Sequence, residues 1–162
     1  YMLNKAVEIT PLALQKLLYF AQAFFDALYN EPLFLDDCQA WALGPVYPDI
    51  YYQYRDFGYD PIEKNLPEED SNFSELTTKE LNFLDAIVEI FGMYSGQVLS
   101  KITHNEQPWI EARGSLLPSD RSVTVINRNT INSYFKQIVE KYQIINPCDI
   151  VSYCSDMVAN LR

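Results

Sequence analysis

The residues best equipped for chemistry are few. The chain has one histidine, His104, followed by Asn105 and Glu106, and three cysteines, Cys38, Cys148 and Cys154. A nucleophilic triad would need a serine or cysteine brought to that histidine in space, and no GxSxG-type elbow is present. The one polar constellation on offer is His104 with Glu106 and Gln15, and no spacing rule joins them. A zinc site asks for several His or Cys ligands at short spacings. One histidine and three cysteines without a CxxC do not supply them. An odd cysteine count is also a poor disulfide framework, so free thiols and a cytoplasmic setting are expected. The expectation is a protein with no catalytic residues, no metal and no cofactor, which is not an enzyme.

Such a protein works by contact, and composition limits the contacts. The 162 residues suit one domain with a sizeable core, and 48% of them are apolar. The formal charge is -10, from 22 acidic and 12 basic residues. That charge repels nucleic acid and anionic lipid and attracts a basic protein. The most apolar stretch, Leu12 to Leu28, carries Gln15, Lys16, Gln22 and Asp26, which makes it a poor membrane span. The chain opens at Tyr1-Met2, so a segment before Tyr1 is left open.

The elements that position these residues are mostly helices. Thr10-Pro11 is a helix start, with an N-cap hydroxyl and then a proline at the first helical position. Leu12 to Tyr29 follows as an apolar helix with one polar stripe, Gln15, Gln22 and Asp26. A helix this apolar is surrounded by others. Asn30 and Pro32 stop it. Residues 33–46 read as a buried loop or one short strand with Trp41 inward, and Pro48 opens a helix. Thr77-x-x-Glu80 is a capping box before an apolar face of Leu81, Leu84, Ile87, Val88 and Phe91. Ser95, Pro108, Asn129 and Asn146-Pro147 open further helices. Ser122 to Ile126 alternates and is β-branched, as in a short strand. The fold class expected is mainly α: a compact single-domain bundle of about six or seven helices around the central apolar one, with at most one short β hairpin.

Three motifs follow in order: Leu14-Gln15-Lys16-Leu17-Leu18-Tyr19, then Ala40-Trp41-Ala42-Leu43-Gly44-Pro45-Val46, then Thr103-His104-Asn105-Glu106-Gln107-Pro108-Trp109. Together they resemble the SocA-like, or Panacea, domain of phage-associated proteins and toxin–antitoxin operons. The resemblance spans residues 1–145, and 146–162 reads as a C-terminal helix packed on the domain or extending it. It implies an antitoxin that neutralises a cognate toxin by direct contact. Its alternatives are a proteolysis adaptor that delivers a client to a protease, or a phage-associated protein of unrelated role.

Each motif residue has a structural reading and a binding reading. Gln15 either hydrogen-bonds the loop at Gly44-Pro45 while Lys16 extends to solvent, or the pair lines a groove for a partner. Trp41 with Gly44 and Pro45 is either a buried anchor before a tight turn or a rigid loop shown to a partner. His104, Glu106, Pro108 and Trp109 read as structural, with Trp109 also suited to anchor an interface. The feature that most invites a partner is the aromatic run from Tyr47 to Tyr59. One helix face cannot bury all of it, so Tyr52 and Tyr59 should face outward if Tyr51 and Tyr54 face inward. Tyr47, Tyr52, Tyr59, Asp60, Glu68 and Glu69 form the candidate partner-binding set, an aromatic and acidic patch suited to a basic toxin.

Overall fold

A threonine hydroxyl and a proline set the axis of the molecule. In a computed structural model that describes residues 1–64 and 73–161, Thr10 Oγ1 accepts from the Ala13 amide at 3.3 Å and Pro11 occupies the first turn. The central helix then runs Pro11–Tyr29. Asn30 ends it in the left-handed region, φ 56°, its N–H bonded to the Asp26 carbonyl. Met2–Lys5 (α1) precedes this helix (α2).

Around α2 stand helices Pro48–Tyr54 (α3), Thr78–Phe91 (α4), Gly96–Thr103 (α5), Gln107–Arg113 (α6), Arg128–Lys141 (α7) and Ile150–Ala159 (α8). That makes eight α-helices among the described residues and one two-stranded sheet. The core is aromatic. Phe20 stacks on Phe91 of α4 with centroids 4.4 Å apart, and Phe24 meets Phe135 of α7 edge-on at 4.9 Å and Tyr153 of α8 at 5.4 Å. Each such ring, fully buried, contributes about 1.5–3 kcal/mol relative to exposure. The expected capping box is present, with Thr77 Oγ1 accepting from the Glu80 amide and the Glu80 carboxylate from the Thr77 amide at 2.7 Å. Ser95 caps α5.

The polar stripe of α2 ties down the chain that returns from it. Gln22 Oε1 accepts from the amides of Leu33 and Phe34 at 2.9 and 3.1 Å, and Gln22 Nε2 donates to the Phe34 carbonyl at 3.0 Å. The chain next forms a hairpin of Gln39–Trp41 (β1) and Gly44–Val46 (β2), antiparallel, with Gln39 opposite Val46 and Trp41 opposite Gly44.

Two local expectations shift. The strand expected over Ser122–Ile126 lies along β1 but makes one bridge, Gln39 to Val125. The Ala40 amide donates to Thr124 O at 2.9 Å and the Ile126 amide to Cys38 O at 2.8 Å. A single neighbour allows half a ladder. The helix expected from Asn129 begins earlier. Asn127 is its cap, accepting from the Asn129 amide at 2.8 Å, because the chain leaves the sheet extended at Asn127 and turns there.

Candidate protein-binding site

The motif side chains converge on the hairpin. Gln15 and Lys16 lie side by side on α2 beneath it. Gln15 Oε1 accepts from the Tyr47 amide at 2.8 Å, and Lys16 Nζ donates to the Pro45 carbonyl at 2.8 Å. From α5, Ser100 Oγ donates to the Leu43 carbonyl at 2.7 Å. From α6, Trp109 Nε1 donates to the Trp41 carbonyl at 2.9 Å and Arg113 Nη1 to the Ala40 carbonyl at 3.2 Å. Four hairpin carbonyls and one amide are thus fixed by side chains from three helices. The unsatisfied backbone groups of a short buried turn are met by this set.

Gly44 is the residue that lets the hairpin come so close. Its φ is +104°, and a Cβ there would sit 2.6 Å from Thr103 Oγ1 and 2.8 Å from Lys16 Cε. Lys16 therefore does not extend to solvent as expected; it is fully buried, because its tail ends under Gly44 and its amine finds the Pro45 carbonyl. Burial lowers its pKa from 10.5 to about 7. Burial also pushes the neighbouring Cys38 thiol up to about 12, so it stays protonated.

His104, Glu106 and Gln15 do not share a hydrogen bond with one another among the described residues; each serves another partner. The His104 ring stacks on Trp109 with centroids 4.3 Å apart, while the Arg113 guanidinium lies 5.1 Å from the centre of that indole. Burial, and then the Lys16 charge, lowers the His104 pKa from its ordinary value. Glu106, at the cap of α6, is buried and accepts from the Tyr153 hydroxyl. Burial raises its pKa from 4.5 to about 7. The Tyr19 hydroxyl faces this carboxyl, yet Tyr19 Oη and Glu106 Oε2 each lack a hydrogen-bond partner within bonding geometry.

The outward side of the hairpin is apolar. Leu43 is exposed at its tip. Trp41, expected to point inward, is half-buried on this side and packs edge-on against Tyr51 at 4.8 Å and Tyr52 at 6.5 Å. Tyr52 is 55% exposed and Tyr59 85% exposed, as expected for the outward tyrosines. Asp60 is exposed. Glu68 and Glu69 lie outside the described residues. Tyr47 does not belong to this surface. It is 2% exposed, since β2 directs it onto Phe34 at 5.0 Å and Gln15 holds its amide.

Sequence reasoning missed Ser100 and Arg113, which complete the grip. Arg113 also donates to the Leu117 and Asp120 carbonyls at 2.7 and 3.0 Å. A signal existed: Arg113 is four residues after Trp109, on the same helix face.

A family model described as antitoxin SocA-like, Panacea domain, matches residues 14–110, more than half of the chain. The chain belongs to this family. A comparison with curated proteins gives no match, and neither does one with solved structures. The Panacea match takes in α2, the hairpin, α5 and the start of α6, the elements that carry Gln15, Lys16, Gly44, His104 and Trp109. Arg113 and the Val125 bridge to β1 fall beyond it. No helix among the described residues is long and apolar enough to cross a membrane.

Proposed function

We propose that this Panacea-domain chain is an antitoxin that neutralises a cognate toxin by direct contact, without catalysis, in the cytoplasm. One observation carries the reading. Five side-chain hydrogen bonds hold the stretch from Ala40 to Tyr47 rigid, and what that stretch displays outward is apolar and aromatic: Leu43, Trp41 and the adjoining Tyr51 and Tyr52. Pre-ordering a surface lowers the entropic cost of binding, and aromatic side chains are favoured interface anchors. The charge of -10, with Asp49 and Asp60 near the exposed tyrosines and Asp56 offset by Arg55 at 3.8 Å, favours a basic partner.

Co-expression with candidate toxins, beginning with any toxic gene found beside this one, tests the reading. Growth should be restored by the wild-type chain. It should fail with Leu43→Asp combined with Tyr52→Ala, two exposed changes that leave the melting temperature in place. Growth arrest that persists with the wild-type chain contradicts the proposal. A shortened toxin half-life, in place of a stable complex, would instead favour the adaptor alternative.

A further inference from the structure

We infer that the Ser122–Ile126 segment is an open sheet edge that binds an extended, basic segment of the partner protein by strand addition. The inference rests on the binding-module reading above and specifies its mode. In an antiparallel pair, residues alternate between those that exchange hydrogen bonds with the neighbour and those whose N–H and C=O turn away. The bonds to β1 use Thr124 O and Ile126 N, and the bridge pair is Gln39 with Val125. Val125 is therefore of the second kind; the ladder stops there, and the Thr124 amide donates to Ser122 Oγ at 3.1 Å. The backbone groups of Val125 point away from β1, and neither they nor those of Val123 have a hydrogen-bond partner among the described residues. Nothing described covers them: Val123 is 74% and Val125 47% exposed.

An exposed edge with β-branched residues is a template for another strand. It is also continuous with the aromatic face. The Gln39–Val125 bridge sets the edge beside β1, whose Trp41 carries the contact to Tyr51 and Tyr52. A strand added here would run beside that face. The charge decides whose strand it is. A second copy would set -10 against -10, whereas a basic chain is attracted. Arg128 beside the edge does not reverse this, because Asp37 at 3.6 Å and the Leu35 and Asp36 carbonyls take up its guanidinium. Arg121 and Asp120, adjacent in the chain, carry opposite formal charges.

The probe is a synthetic hexapeptide, Val-Lys-Val-Lys-Val-Lys, titrated into the isotope-labelled full chain and followed by amide NMR shifts. Saturable shifts centred on the Val123 and Val125 amides are expected. They should vanish with a peptide N-methylated at alternate residues, and Val125→Pro should weaken binding about tenfold or more. Proline is tolerated there because the N–H it removes points outward. Val123→Lys with Val125→Lys, which keeps every backbone N–H, should weaken it similarly by repulsion. Shifts confined elsewhere, equal binding of the N-methylated peptide, or equal binding of a Val-Glu peptide would overturn the inference. So would concentration-dependent self-association through these amides. If Val125→Pro rescues growth beside the toxin as well as wild type does, strand addition is wrong while neutralisation stands. If the wild-type chain itself fails to rescue, the parent reading falls, and the peptide titration still decides the edge.

Discussion

Glu106 is a buried acid whose folded state prefers the proton, and replacing it with glutamine should stabilise the protein at alkaline pH. Its pKa rises from 4.5 in the unfolded chain to about 7 in the fold, through burial. Below pH 4.5 both states carry the proton and no penalty exists. As the pH climbs from 4.5 through 7, the unfolded chain releases the proton first, and stability falls. Above 7 the loss is complete. A shift of about 2.5 units corresponds to about 3 kcal/mol. Glu106→Gln cannot ionise. Its Oε1 still accepts from Tyr153, and its Nε2 can donate to the Tyr19 hydroxyl as the protonated acid can, so the amide stands in for the protonated form at every pH. Urea unfolding followed by tryptophan fluorescence at a series of pH values is the assay. The variant and wild type should agree near pH 4.5, and the variant should be more stable by up to about 3 kcal/mol at pH 8. In melting temperature that is roughly 6–12 °C for a chain of this size. Lys16 also titrates, but equally in both proteins, so the difference isolates Glu106. A pH-independent difference, or a less stable variant at pH 8, would refute the reasoning.

The remaining tests concern the grip on the hairpin. Lys16 has a lowered folded pKa, so its contribution is intact above 10.5 and is lost as the pH falls toward about 7. Lys16→Met leaves the Pro45 carbonyl unpaired and should cost about 1–3 kcal/mol at pH 10.5; that cost should shrink as the pH falls to 7, and a constant cost in urea titrations would contradict it. Gly44→Ala meets both the positive φ and the contact with Thr103, so thermal denaturation should show a loss of about 2 kcal/mol or more. Arg113→Ala frees the Ala40, Leu117 and Asp120 carbonyls, and we expect about 3 kcal/mol of destabilisation in the same assay.

Where structure depends on neighbours in the chain, the sequence is readable. Thr10-Pro11, the Thr77–Glu80 box and Ser95 mark their helices because a cap is settled within four residues. The outward Tyr52 of α3 follows from how many aromatic rings one short helix can bury. What could not be read depends on distant crossings. The snorkelling rule for Lys16 assumes an open path to water, and that path is closed by Gly44, 28 positions along the chain. Glu106 looked like a companion of His104 because they are adjacent in sequence; its partner is Tyr153, on the last helix. Tyr47 was grouped with the outward rings because the turn that directs it inward is set by Gln15 from below. The open edge at Val123 and Val125 emerges only once the Ser122–Ile126 stretch is seen with one neighbour instead of two.

Calorimetric titration of the purified chain with a toxin that co-expression shows it to neutralise asks most directly whether a braced apolar face is what holds the partner. We expect saturable one-to-one binding by the wild type and at least about hundredfold weaker binding by Leu43→Asp with Tyr52→Ala, since losing two central apolar contacts removes about 3 kcal/mol. Undiminished affinity in that folded double variant would contradict it.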